Sequence, residues 1–215
     1  MKNKFAIGIP TLNRADLLIP SLEAYAKDFD GIKIYIVDNG NQIELFNWLN
    51  QVDNPNHEVV FPSENLGVAK SWNTLLDSIY KEHDYALILN DDIYLGLDKK
   101  YIEALIERYQ SQVLLTNPID WCVFLMPKST YIENGKFDEQ FYPAYCEDND
   151  YVYRLKLKGQ KVFKTPDLLP KVHRASMTLE RDYTLQTAYH ENKEKYIEKW
   201  GGAPDFELFK KPYNN

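Results

Sequence analysis

Only two cysteines, Cys122 and Cys146, occur in 215 residues. That is too few for a disulfide framework, and their spacing is not one that holds a zinc ion. A reducing cytoplasm is the expected setting. No run approaches the roughly 18 apolar residues that cross a bilayer as a helix. The opening stretch MKNKFAIGIPTLNR has two lysines and a short apolar run that stops at Pro10, and reads as neither signal peptide nor anchor. Positive charge is in deficit too: 25 Lys and Arg against 32 Asp and Glu leave a net charge of −7. Without a broad electropositive surface, nucleic acid is excluded as the main partner. No GxGxxG follows the first strand-like run, which argues against dinucleotide binding and methyl transfer.

Aromatic residues are plentiful, with 16 Tyr and 4 Trp. At that density they pack a core and can line a sugar-binding cleft. The length suits one domain, or one domain with a small appendage, and is ample for a buried core. The chain is organised around Asp84 to Tyr94, DYALILNDDIY. A short apolar run of strand type, Tyr85 to Leu89, reads as a strand buried on both faces. It ends abruptly in Asn90, Asp91 and Asp92. In open α/β sheets the C-terminal strand edge is where ligands bind, so these acids are placed to hold a divalent cation and, through it, a phosphate. An Asp-rich solvated turn is the bland alternative.

Strand and helix alternate around that segment. Phe5 to Ile9 reads as a strand followed by the loop PTLNR, then a helix on Leu18, Leu22 and Tyr25, with Pro20 in its first turn or kinking it. Ile32 to Val37 is a second strand closing in Asp38, Asn39 and Gly40. Ile43 to Leu49 is helix-like and Glu58 to Phe61 a third strand. Asn65 caps a helix carrying Ala69, Trp72, Leu76 and Ile79. Beyond the acids come a helix on Ile102, Leu105, Ile106 and Tyr109, a strand from Trp121 to Met126, and a short helix from Lys128 to Asn134. A helix begins at Glu147 and Asp148 and ends at Gly159. Val162 to Lys164 and Leu168 to His173 read as edge strands, and Glu180 to Trp200 as a polar helix. Such alternation argues for a parallel sheet with right-handed crossovers.

Taken in order, IPTLNR, IVDNGN, ENLGVAKSWN, LILNDDIYL, FDEQFYPAYCEDNDYVYRLKLKG, KVHRAS and YIEKWGG resemble the inverting family-2 glycosyltransferases of GT-A fold, especially the rhamnosyl- and hexosyltransferase-like members. The resemblance covers residues 4–202. It implies a single GT-A domain over 1–215, a three-layer α/β/α sandwich with a mostly parallel, mixed central sheet. Residues 1–95 would bind the nucleotide sugar, 96–179 the acceptor, and 180–215 would form a C-terminal helix and tail. The same resemblance sets Pro10, Thr11, Asn13 and Arg14 around the base and pyrophosphate, and Asp38 on the base or ribose. Gly67 and Lys70 would lie where the backbone approaches the donor. Asn90 and Asp91 would contact the nucleotide sugar, while Asp92 and His173 would hold Mn²⁺ or Mg²⁺. Asn90 departs from the family's DxD pattern, in which an acid often stands first. Glu147 and Asp148 match the family's ED pair, and Asp148 would be the general base. Asp150 reads instead as a helix residue paired with Arg154, and Trp200 as packing.

The activity implied is transfer of one sugar from a UDP-sugar, or second a dTDP-sugar, to a hydroxyl of a glycan or lipid-linked glycan, in surface polysaccharide or glycan assembly. Peripheral contact with a membrane is compatible with that setting. Tyr196 and Lys199 replace the Gln and Arg of QxxRW, which argues against a processive polysaccharide synthase. Two rivals stand beside this reading. A nucleotidyltransferase also gathers acids around a metal but would carry a Gly-rich basic loop after the first strand, and PTLNR is not one. A catalytically inactive nucleotide-sugar-binding protein would not need the Glu147–Asp148 pair.

Overall fold

The pleat of the central strands decides the architecture. Along β1 (Phe5–Thr11), Phe5, Ile7 and Ile9 enter one hydrophobic cluster while Ala6 enters another. The same alternation runs through β2 (Ile34–Asp38), β4 (Tyr85–Leu89) and β7 (Val123–Pro127). Leu87 and Leu89 face the first cluster, and Ala86 and Ile88 the second. Successive side chains point to opposite faces of a strand, so a sheet apolar on both faces must be covered on both. The computed structural model describes residues 3–52, 55–109, 114–174 and 184–215.

Seven strands form one sheet in the order β3-β2-β1-β4-β7-β6-β8, where β3 is His57–Val60, β6 Leu114–Thr116 and β8 Val162–Lys164. The β3-β2-β1-β4 half is parallel, and β7 enters antiparallel to β4 and β6. On one face the cluster takes in Leu18, Leu22 and Tyr25 of α1 (Ala15–Asp28), Leu45 of α2 (Ile43–Gln51) and Ile102, Leu105 and Ile106 of α4 (Lys99–Arg108). On the other it takes in Ala69, Trp72, Leu76 and Ile79 of α3 (Gly67–Ile79), Tyr131 of α5 (Lys128–Asn134) and Tyr151 and Leu155 of α6 (Glu147–Leu157). The expected three layers and mixed, mostly parallel sheet are present. Right-handed crossovers explain which helix goes where: the chain moves from β1 out to β3, then returns past β1 to β4, so α3 must cover the opposite face. The reversal opens a crevice at the C-terminal ends of β1 and β4, the usual ligand position in such sheets.

Several local expectations are corrected. β1 runs through Pro10 to Thr11, because its ladder to β4 covers Phe5 to Gly8 and Pro10 lies beyond it. Pro20 sits past the first turn of α1, on its exposed side. β2 begins at Ile34 rather than Ile32. Leu168 to His173 is not an edge strand: residues Pro166–Leu168 form a 3₁₀ turn capped by Thr165. Only Val172–His173 is extended, as β9, and it pairs with β5 (Ile93–Tyr94) in a separate two-stranded sheet. The start expected at Glu180 lies outside the described residues; α7 is described from Thr184–Trp200. No described helix is long and apolar enough to cross a membrane.

Gly67 joins the two halves. It has φ of +72°, and a Cβ there would lie 2.7 Å from the Pro143 carbonyl oxygen and 2.8 Å from the Tyr142 ring. The Val68 amide donates to that same carbonyl at 2.7 Å. Gly67→Ala therefore combines left-handed backbone strain with a clash, and lowers stability by about 1–3 kcal/mol. Urea unfolding checks this; a midpoint equal to wild type contradicts it.

Candidate active site

A cleft of 820 Å³ opens at the crevice. Its floor comes from the ends of β1 and β4, where Pro10, Thr11 and Leu12 lie beside Asn90, Asp91 and Asp92. Asp91 accepts from the Leu12 amide at 3.4 Å. Burial lifts its carboxyl to about 7, with hydrogen bonding from Thr11 opposing and repulsion from Asp92 adding. Asp92 is raised by burial as well, with His173 opposing, and its Oδ1 is buried with no hydrogen-bond partner.

The facing wall is the start of α6. Two consecutive residues with positive φ, Tyr145 at 79° and Cys146 at 73°, turn the chain so that Glu147 and Asp148 enter the cleft. Glu147 is buried, its Oε2 is unpartnered, and burial followed by repulsion from Asp148 pushes its carboxyl well up. Asp148 is half-buried and accepts from the Asn149 amide at 2.8 Å. Burial raises its carboxyl and the amide opposes.

One carboxylate behind this wall does different work. Asp150 is fully buried and accepts from Arg154 Nε at 2.8 Å, Lys199 Nζ at 2.5 Å and Trp200 Nε1 at 2.9 Å. The expected pairing with Arg154 is present, and the end of α7 completes the set. Higher up α7, Asn192 donates to the carbonyls of Tyr142 and Ala144 at 3.2 and 2.7 Å. Leu185, Thr187, Ala188 and Glu191 of that helix line the cleft.

Not every residue singled out in the sequence reaches the lining. Pro10, Thr11, Gly67, Asn90, Asp91, Asp92, Glu147, Asp148 and His173 do. Asp38 does not: it lies on the Ile34 and Ile36 side of the pleat. There it accepts from the Gln42 amide at 2.7 Å, Gln42 Nε2 at 2.9 Å and the Gly40 amide at 3.1 Å. Its neighbour Asn39 faces the cleft instead, fixed by the Ser71 hydroxyl at 2.9 Å and the Leu66 amide at 2.9 Å. Asn13 lines a separate shallow surface pocket with Gly40 and Gln42, and Lys70 is exposed on α3. Arg14 is buried behind the lining, with Nε on Asp16 at 3.0 Å and a buried, unpartnered Nη1. Its raised pKa comes first from that hydrogen bond to Asp16, and Asp91 and Asp92 add to it. The close approach that the structure shows at Gly67 is to the chain's own Tyr142–Pro143 segment, while Gly67 also lines the cleft.

Sequence reasoning missed Asp120, Trp121, Trp72 and the Tyr142–Tyr145 segment as cleft residues. The signal for Asp120 was an NPID turn. Asn117 Oδ1 accepts from the Ile119 and Asp120 amides at 2.8 and 3.1 Å. Asp120 Oδ1 accepts from Asn117 Nδ2 and the Cys122 amide. Burial works against the Asp120 carboxylate, but hydrogen bonds from Cys122 and Asn117 hold it below the usual range.

Several known proteins share this fold. A mannosyltransferase from Pyrobaculum calidifontis, PcManGT, solved with GDP-Man and Mn²⁺, superposes with a TM-score of 0.65 at 14% identity, covering 95% of this chain and 67% of that one. S. aureus TarS superposes at 0.59 with 17% identity, covering 72% of this chain and 33% of TarS. A TarS 1–349 structure with UDP gives 0.57 at 16% identity, covering 70% and 54%. The chain thus spans about two thirds of the mannosyltransferase and a third to a half of the TarS chains. At such identities the likeness is one of fold, which is that of GT-A glycosyltransferases. No curated protein sequence matches the chain. The profile of Glycosyl transferase family 2 matches residues 6–119, just over half of the 215, and the chain belongs to that family.

Proposed function

We propose that the chain is a metal-dependent, inverting glycosyltransferase of rhamnosyl- or hexosyltransferase type. It moves one sugar from a nucleoside-diphosphate sugar to an acceptor hydroxyl in surface polysaccharide or glycan assembly. UDP is the favoured nucleotide and dTDP the second. The observation that carries the reading is that two acid pairs from distant segments, Asp91–Asp92 ending β4 and Glu147–Asp148 opening α6, face one cleft at the sheet's switch point. We also read 1–95 as the donor half, 96–179 as the acceptor half and 180–215 as a tail, all of one domain. TarS with UDP and PcManGT with GDP-Man and Mn²⁺ share the fold, which supports a nucleotide-sugar donor.

The donor set fits a divalent cation: hard carboxylate oxygens with one imidazole suit Mn²⁺ at least as well as Mg²⁺. The unpartnered, buried Asp92 Oδ1 is the atom such an ion would satisfy, with His173 beside it. When bound, the ion supplies positive charge against the leaving diphosphate. The chain does the rest. The floor from Pro10 to Leu12, with Asn39 and Asn90, holds the nucleotide, and buried Arg14 adds a permanent charge beneath Asp91 and Asp92. Trp121, half-buried at the cleft and backed by the core residue Trp72 with ring centroids 6.3 Å apart, offers an apolar surface that suits the C–H face of a sugar ring. Asp148 takes the acceptor hydroxyl proton. Glu147 is the more deeply buried of the two, and burial followed by repulsion from Asp148 disfavours its ionised form.

Two expected outcomes test this. Transfer requires a divalent cation, and Asp92→Ala removes activity together with the cation dependence; full turnover in excess EDTA, or by the mutant, contradicts the assignment. Asp148→Asn lowers turnover about 10² to 10⁴-fold while the donor dissociation constant stays within about threefold. A base with a raised pKa is protonated, hence inactive, below that pKa. The wild-type rate therefore climbs with pH through a limb above the ordinary Asp range, which Asp148→Asn abolishes. Normal turnover by Asp148→Asn and loss in Glu147→Gln would assign the base to Glu147.

A further inference from the structure

The end of β4 offers a carboxylate oxygen that is buried without a partner, Asp92 Oδ1, in a cleft that Asp120 and His173 also line. We propose that Asp120, from a different segment of the chain, supplies a second carboxylate and holds the divalent cation together with Asp92 and His173. This rests on the metal-dependent reading above.

The backbone brings the three together independently of their side chains. The Asn90 amide donates to the Cys122 carbonyl at 2.9 Å, and Leu89 pairs with Val123, which sets the 117–122 turn beside the acids. From another direction, Ile93 pairs with His173, and the Arg174 amide donates to the Asp92 carbonyl at 3.0 Å. Side-chain donor atoms of Asp120, Cys122 and His173 then lie within 4.8 Å of one another. Asp120 and His173 both act electrostatically on Asp92, the first repelling its charge and the second favouring it. Asn117 Nδ2 and the Cys122 amide both donate to Asp120 Oδ1, and the Cys122 thiol also hydrogen-bonds this carboxylate. Glu147, also lining the cleft, keeps a buried Oε2 without a partner. Asp92, Asp120 and His173 would together offer two carboxylate groups and one imidazole nitrogen, a donor set that suits a divalent cation such as Mn²⁺. Cys122 shares the turn but, as a buried thiol, is the wrong partner for a hard cation.

Mn²⁺ uptake, read from the electron paramagnetic resonance signal of the free ion with saturating UDP, tests this without activity. Asp120→Asn keeps the Oδ1 acceptor that holds the turn, and thermal melting checks that it is folded. The expected result is an Mn²⁺ dissociation constant raised at least about tenfold in Asp120→Asn and His173→Gln, but within about threefold of wild type in Cys122→Ala. Asp120→Glu, which restores the carboxylate, recovers part of the loss. Wild-type affinity in Asp120→Asn overturns the proposal, and so does an equal loss in Cys122→Ala, which would make the effect a general disturbance of the turn. If the wild type itself takes up no Mn²⁺, with or without UDP, the metal-dependent reading fails and this one with it.

Discussion

The structure turns on negative charge gathered where the sheet can least disperse it. Asp91, Asp92, Asp120, Glu147 and Asp148 converge on one cleft; burial pushes all five carboxyls up, and in Asp120 alone of the five the hydrogen bonds outweigh it. Two like charges 4 Å apart repel by about 4 kcal/mol at an effective dielectric near 20. A fold does not keep such a cluster for stability. Arg14 acts favourably on Asp91 and Asp92, and under the proposed function a cation and a diphosphate entering together would offset the rest. Perturbed carboxyls in a cleft are a mark of function rather than of packing.

Holding the cluster in shape falls to a second carboxylate that faces away from it. Asp150 binds Arg154 of its own helix and Lys199 and Trp200 of α7, while Lys199 also reaches Asp138 at 2.6 Å. Removing one partner of a buried charge costs about 3–5 kcal/mol, so the start of α6 and the end of α7 are locked as a unit. A small apolar cluster of Phe141, Cys146, Tyr153, Tyr196 and Trp200 surrounds the lock. The same helix reaches back through Asn192 to the 142–144 segment, and that segment meets α3 at Gly67. The outer wall of the cleft is thereby tied to the sheet through three successive contacts.

Much of this was legible in the sequence because the signals are local. The two-residue alternation in Phe5 to Ile9 and the apolar run Tyr85 to Leu89 specify buried strands, and acids at their ends specify the functional edge. Asp150 was readable as structural from its spacing to Arg154. What escaped depends on contacts between distant segments. The β5–β9 pair joins residues some 80 apart, and neither strand is long enough to announce itself. Gln42 folds back over Asp38, and no pattern in IVDNGN shows that. Asp120 lies in a turn of ordinary composition and gains its meaning only when β7 runs antiparallel beside β4. The contact of Gly67 with Pro143 likewise joins distant segments, and nothing in ENLGVAKSWN shows it.

The most direct test is anomalous diffraction at the manganese edge from a crystal grown with UDP and Mn²⁺. The account predicts one strong peak in the cleft between the end of β4 and the diphosphate, within coordination distance of Asp92. A nucleotide bound elsewhere, or a diphosphate in this cleft with no metal between it and Asp92, would contradict it.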